Sequence, residues 1–115
     1  MDSTEFFENR MQLLAAGDVD SLVDQYSEDA KIVRFLGVAN GKDEIRAYLV
    51  GLLAAHRSYE AVSLDQVQGT GDSIIWEATV NTAAGPLQIY DVFVFSDDGK
   101  ITHQFPGVQG YWGSS

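Results

Sequence analysis

The sequence predicts an α+β fold in which three helices lie on one face of a curved, mostly antiparallel sheet. In the first half of the chain, apolar residues recur at three- and four-residue spacing, as on one side of a helix. After Ser58 the pattern changes to alternation, as in strands with one buried face. Turn sequences separate the alternating segments, namely GTGD at 69–72, AAGP at 83–86 and SDDG at 96–99.

Helices are predicted over residues 3–16, 18–26 and 42–55. Ser3 or Thr4 can cap the first helix, because their hydroxyl oxygens can accept from free backbone N–H groups. Gly17 ends the first helix, and Asp18 caps the second. Residues 27–30 are polar and predict a turn between the second helix and the first strand.

A short strand is predicted at 31–36, followed by a loop at 37–41. Four further strands are predicted at 59–68, 73–82, 87–96 and 100–110. The Asp-Gly pair in the turn at 96–99 is typical of a tight hairpin between the last two strands. This order gives a four-stranded meander after the third helix.

The segment LQIYDVFVF, residues 87–95, carries the sharpest chemical signal in the chain. Alternate residues of a strand point to opposite faces, so Asp91 falls on the more apolar face, between Ile89 and Phe93. An ionised carboxylate there without partners would cost several kcal/mol. Asp91 is therefore expected to pair, to accept hydrogen bonds or to stay protonated, in a functional site or in a structural network.

Composition excludes several classes of function. The formal charge of −10 comes without a basic cluster, so no nucleic-acid partner is expected. No apolar run approaches the roughly 20 residues of a membrane span, and the N-terminus lacks a signal-peptide pattern, so a cytoplasmic protein without a membrane partner is expected. With no cysteine and only two histidines, no metal and no cofactor are predicted. We interpret His56 as a helix-end residue.

Two segments resemble the nuclear transport factor 2-like superfamily, which includes ketosteroid isomerases, SnoaL-like polyketide cyclases and limonene epoxide hydrolases. They are AAGDVDSLVDQYSEDAKIVRFLGVANGKDEIRAYL at 15–49 and YDVFVFSDDGKIT at 90–102. The resemblance implies a single SnoaL-like or ketosteroid isomerase-like domain over residues 1–115. It also implies a cone-shaped curved sheet with the three helices on its concave face, a cystatin-like α+β barrel that holds a small apolar ligand.

The resemblance further implies roles for individual residues. Asp91 matches the aspartate with which ketosteroid isomerases donate to the substrate oxygen, and such an acid must be neutral to donate. The family's proton-abstracting aspartate corresponds here to Arg34, and its oxyanion tyrosine to about Arg10. These two departures predict an isomerase- or cyclase-like reaction rather than steroid isomerisation itself. SnoaL-like cyclases carry an Asp and a His near the final strand, where this chain has His103 alone.

We predict that Asp91 and Arg34 face each other across an apolar pocket and carry the chemistry. If desolvation dominates, Asp91 is a neutral donor; if Arg34 dominates, Asp91 is an ionised base and Arg34 steadies the developing oxyanion. Arg34 can instead bind a carboxylate or enolate of the ligand, and a purely structural ion pair is the remaining alternative. The predicted substrate-binding residues, placed on helix core faces or on strands, are Tyr26, Tyr48, Trp76, Ile89, Phe93 and Gln104.

The function these features predict is cofactor-free acid–base chemistry on a small apolar carbonyl or epoxide compound, by an isomerase, cyclase or epoxide hydrolase. The alternative is a non-catalytic ligand-binding or dimerisation domain of the same fold. Helices cover only one face of the predicted sheet, so apolar residues on the other face are exposed to water unless a second molecule covers them. Tyr90, Val92 and Val94 fall on that outer face, which predicts a homodimer through it.

Overall fold

The described part of the chain forms three helices and one curved, open sheet of six strands, which confirms the predicted α+β class. The computed structural model describes residues 2–55, 60–82 and 84–111. The helices are α1 (Ser3–Ala16), α2 (Val19–Asp24) and α3 (Gly41–Ala55). The strands are β1 (Tyr26–Arg34), β2 (Gly37–Asn40), β3 (Glu60–Gly69), β4 (Ser73–Thr82), β5 (Gly85–Phe95) and β6 (Ile101–Tyr111).

The strand order across the sheet is β2-β1-β6-β5-β4-β3. Strands β3 to β6 form the predicted antiparallel meander. β1 pairs with β6 in parallel, and β2 pairs with β1 in an antiparallel hairpin. The hairpin therefore extends the sheet beyond the last strand of the meander, next to the residues that β6 contributes to the site.

Local capping explains where the first two helices begin. Asp2 caps α1 by accepting from the backbone N–H groups of Thr4 and Glu5, so the cap precedes the predicted Ser3 or Thr4. Asp18 caps α2 as predicted, by accepting from the N–H of Ser21. Between them Gly17 adopts a left-handed conformation, with φ of 67°, which favours glycine at the end of a helix.

The prediction of a helix through Tyr26 and a turn at 27–30 is wrong. α2 ends at Asp24, and Tyr26 is the first residue of β1, next to Ile101 of β6. The sequence of β1 hides its strand character because Glu28 and Asp29 are consecutive exposed acids. The register between β1 and β6 shifts there, as at a β-bulge. An irregular strand of this kind interrupts the alternation on which the prediction depended.

The predicted loop at 37–41 is also wrong, since residues 37–40 form β2. Its pairing with β1 places Ala39 opposite Ile32 and buries Ala39. A four-residue strand is too short to show alternation, and its pairing with β1 decides its conformation. Phe35 and Leu36, at the tip of the hairpin, are fully exposed.

The second half of the chain follows the prediction closely. The hairpin turn at 96–99 forms, with the N–H of Gly99 donating to the carbonyl of Ser96 over 2.9 Å and Gly99 at φ 80°. β5 begins two residues earlier than predicted. The predictions for His56 and for a strand start at Tyr59 lie outside the described residues.

The core fills the inner face of the sheet beneath α1. Trp76 of β4 and Phe93 of β5 are fully buried, and their rings contact Phe6 of α1. Phe7 packs edge-on against Trp76. In the described part of the chain, no helix has both the length and the apolar character to cross a membrane.

Candidate active site

A cavity of about 280 Å³ lies beside this aromatic core, close to the lower end of the volumes in which small ligands bind. Its walls come from α1, α3, the β1–β2 hairpin, β5 and β6, and they are mostly apolar. The residues lining it are Arg10, Met11, Leu14, Arg34, Phe35, Leu36, Tyr48, Leu52, Leu87, Ile89, Tyr90, Asp91, Gln104, Pro106, Gly107 and Val108.

Asp91 supplies the buried carboxyl group of this cavity. As predicted, it lies on the inner face of β5, where residues 87, 89, 91, 93 and 95 are all buried. Burial raises the pKa of Asp91 to about 6. The hydrogen bond from Gln104 Nε2 to Asp91 Oδ1, at 2.8 Å, and the charge of Arg10 act in the opposite direction. Asp91 therefore exchanges its proton close to neutral pH.

Trp76 lies opposite Asp91 in the register of β4 and β5. Its buried indole N–H makes no hydrogen bond of normal geometry within the described part of the chain. The indole nevertheless favours the ionised carboxylate and lowers the pKa of Asp91 slightly. The carboxyl thus has polar neighbours from two adjacent strands.

Asp91, Gln104 and Arg10 form the floor of the cavity. Arg10 reaches it from α1 and is only 3% exposed. Its Nη1 donates to Gln25 Oε1 over 2.9 Å, and its Nη2 donates to the Tyr26 hydroxyl over 2.6 Å. A longer contact of 3.5 Å joins Nη2 to Gln104 Oε1, which also accepts from the Tyr26 hydroxyl. Burial raises the pKa of Tyr26, so its hydroxyl stays protonated. The network connects Arg10 to Asp91 through the Gln104 amide.

Arg34 lies in the cavity wall at the end of β1. Its guanidinium carbon is 4.7 Å from the centre of the Tyr48 ring, in a cation–π contact. The Nε of Arg34 is buried without a hydrogen-bond partner among the described residues. Burial, with the charge of Asp91 second, raises the pKa of Tyr48 to about 12, so Tyr48 contributes a neutral hydroxyl.

Five of the predicted site residues line the cavity: Asp91, Arg34, Tyr48, Ile89 and Gln104. The other three, Tyr26, Trp76 and Phe93, do not line it and are fully buried. Parity along a strand identified the correct face for Trp76 and Phe93. It could not show that α1 would cover them with Phe6 and Phe7.

The structure also changes which cation acts on Asp91. The charge that lowers its pKa is that of Arg10, and not the predicted Arg34. Gln25, Phe35 and Leu36 join the network or the cavity wall without having been predicted. One signal in the sequence pointed to Arg10, because it interrupts the apolar stripe of α1.

The neighbours His103 and Gln104 point to opposite faces of β6. Gln104 pairs with Phe93 on the inner face and lines the cavity. His103 pairs with Val94, and its ring stacks on that of Phe105, at 6.2 Å between centroids. Among the described residues, no group of three or more histidine, cysteine or carboxylate side chains lies together as a metal site requires.

Comparison with known families agrees with this architecture. Residues 5–104 match the family model described as a SnoaL-like domain. The chain belongs to the SnoaL-like domain family. This membership confirms the predicted place of the chain in the nuclear transport factor 2-like superfamily.

Solved structures show the same fold at low sequence identity. A SnoaL-like protein of unknown function from Burkholderia thailandensis superposes with a TM-score of 0.78 at 17% identity, over 94% of this chain and 95% of the other. A protein from Sinorhizobium meliloti, provisionally named a polyketide cyclase, gives 0.76 at 20% identity, over 93% and 100%. An NTF2-like protein from Anabaena variabilis gives 0.76 at 19% identity, over 97% and 87%. None of the curated proteins compared with the chain matches it.

Proposed function

We propose that the protein is an enzyme that catalyses cofactor-free acid–base chemistry on a small, mostly apolar carbonyl or epoxide compound. The observation that carries this proposal is the position of Asp91, a buried carboxyl with a pKa of about 6 in a cavity with mostly apolar walls. A general base or acid works best when its pKa lies near the operating pH. Asp91 meets that condition because both of its protonation states are populated around pH 6.

The geometry supports a proton shuttle in the simplest case, an isomerisation. The ionised Asp91 removes a proton from the carbon next to the substrate carbonyl, and the electron pair moves to the carbonyl oxygen to give an enolate. The positive charges of Arg10 and Arg34, both in the lining of the same cavity, favour the negative charge on that oxygen. In a substrate with a C=C bond at the β,γ position the enolate is a dienolate, so Asp91 can return the proton to the γ-carbon, and atoms and electrons balance without a redox partner.

The fold hosts both catalysts and binding proteins, so the test must detect proton transfer itself. We choose 1-tetralone as the probe, an apolar ketone whose exchange at C2 in D₂O is followed by NMR. The wild-type protein is expected to accelerate loss of the C2–H signal, with a rate that rises with pH through about 6. Asp91→Asn should abolish the acceleration because the amide cannot accept the proton.

Asp97→Asn is the matched control, since Asp97 is an exposed acid in the turn between β5 and β6. It should exchange 1-tetralone as the wild type does. If the wild type binds 1-tetralone but exchanges it no faster than Asp91→Asn, the protein is a ligand-binding domain instead. That outcome would support the non-catalytic alternative.

A further inference from the structure

The charge of the cavity differs in sign from the charge of the protein. The chain as a whole carries −10. The charged residues that line the cavity are Arg10, Arg34 and Asp91. Two arginines and one aspartate give the lining a charge of +1 when Asp91 is ionised and +2 when it is protonated. A site of this kind attracts one negative charge into otherwise apolar surroundings.

The two arginines differ in how far their donors are already used. Arg10 donates to Gln25, Tyr26 and Gln104, and its guanidinium also lies over the Phe93 ring. Its donors are therefore already used by residues of the protein. No ion-pair or hydrogen-bond partner of Arg34 is found in the described part of the chain, and its Nε is buried.

A buried N–H without a partner is costly, and a ligand that accepts from it removes the cost. The Tyr48 ring holds the Arg34 guanidinium from one side and leaves its edge donors unused. A planar guanidinium with free donors matches a carboxylate or another pair of anionic oxygens in two-point fashion.

We propose that the ligand of this cavity is a small monoanion, with an apolar body and a carboxylate or comparable oxyanion bound by Arg34. The inference deepens the proposed function, because it concerns the substrate class of the same cavity. The apolar body lies against Ile89, Leu87 and Leu52, and the anionic end lies at the hairpin. Asp91 remains free to exchange a proton with the part of the ligand near the floor.

The test compares two probes of nearly equal shape, 2-naphthoate and 2-naphthamide, by fluorescence titration. The wild type should bind 2-naphthoate about tenfold to a hundredfold more tightly, the ratio that a charge-assisted hydrogen-bonded pair supplies. Arg34→Met keeps the stem but removes the charge, and it should lose this preference with less than a twofold effect on 2-naphthamide. Arg46→Met is the control, because Arg46 pairs with exposed Asp20 on the outside of the molecule.

Asp91→Asn gives a second readout of opposite sign. Removing the negative charge should tighten 2-naphthoate several-fold while exchange of 1-tetralone is lost, so the two proposals fail independently. These measurements decide the question even if Arg34→Met does not fold. Absence of 2-naphthoate binding, equal affinity of the wild type for both probes, or equal weakening of both by Arg34→Met would each overturn the assignment.

Discussion

Arg10 and Asp91 are joined by a single amide, because Gln104 accepts from the Arg10 guanidinium at 3.5 Å and donates to the Asp91 carboxylate at 2.8 Å. The arrangement balances two opposing effects on the carboxyl. Burial favours the protonated form, while the Gln104 hydrogen bond and the Arg10 charge favour the ionised one. The balance leaves the pKa of Asp91 at about 6, between that of a solvated acid and that of a fully isolated one.

Asp91 should make the stability of the fold depend on pH in a way that Asn does not. Its pKa is about 6 in the folded state against 3.8 ordinarily, so the folded state holds the proton more tightly. The stabilising effect of that proton is complete only at pH values well below 3.8, and it is lost as pH rises through 6. The free energy of unfolding of the wild type, relative to Asp91→Asn, should fall by about 2 kcal/mol between pH 4 and pH 7.

Urea denaturation of both proteins across this range measures the difference, and the contributions of other carboxylates cancel in it. Asp18 and Asp98, whose pKa values are lowered by hydrogen bonds to Ser21 and Ser96, act with the opposite sign but equally in both proteins. A constant difference in stability from pH 4 to pH 7 would show that Asp91 is not the titrating group. Asp97→Asn should track the wild type.

Gln104→Leu should raise the pKa of Asp91 further. The substitution removes the donor to Asp91 Oδ1, which is the largest of the effects that lower this pKa. The midpoint of the pH–rate profile for 1-tetralone exchange should therefore move to higher pH. Carbon-13 NMR of the Asp91 carboxyl should show the same shift. Gln109→Leu serves as the control, because Gln109 is exposed and donates to Glu77. An unchanged midpoint in Gln104→Leu would contradict the network.

Phe35 should contribute to ligand binding although it contributes nothing to the core. It is fully exposed at the tip of the β1–β2 hairpin and lines the cavity. Covering part of such a side chain with ligand gains roughly 1–2 kcal/mol, so Phe35→Ser should weaken 2-naphthoate and 2-naphthamide alike by about tenfold. The melting temperature should stay unchanged. Val50→Ser, on an exposed part of α3 away from the cavity, should leave both affinities as they were.

The outer face of the sheet should hold two copies of the chain together. Ile75, Val92 and Phe105 lie side by side there on three neighbouring strands, and Ile75 and Phe105 are exposed. Light scattering at micromolar concentration should give twice the monomer mass of 12.6 kDa. Phe105→Glu should reduce it to the monomer mass, while Val50→Glu should not. A wild-type mass of 12.6 kDa would refute the dimer.

The alternation of strands explains why Asp91 could be identified from the sequence. A single acid on the apolar face of β5 stands out because the period of a strand is short and regular. The same regularity predicted Ile89 in the cavity wall and placed Trp76 and Phe93 on the inner face. Which inner-face residues line the cavity depends on where the helix packs over the sheet. That position is set by tertiary packing and not by the pattern within a strand.

Tyr26 and Arg10 show where prediction from local pattern ends. Their contact joins α1 to a strand whose polar residues resemble a turn, and this strand pairs with β6, which is distant in sequence. Arg34 lies in the cavity wall, where it was expected, but the charge that acts on Asp91 is that of Arg10 from α1. Patterns within one element do not report distances between elements.

The parallel pairing of β1 with β6 also bears on how the chain folds. Their paired residues, such as Tyr26 and Ile101, are far apart in sequence, so the pairing closes a loop that contains β2, α3 and strands β3 to β5. Contacts so distant in sequence form late and slow the folding reaction. On the ribosome, Arg10 and Tyr26 emerge long before Gln104, their shared partner. The contacts of Arg10 and Tyr26 with Gln104 are therefore expected to form in the last step of folding, after the meander.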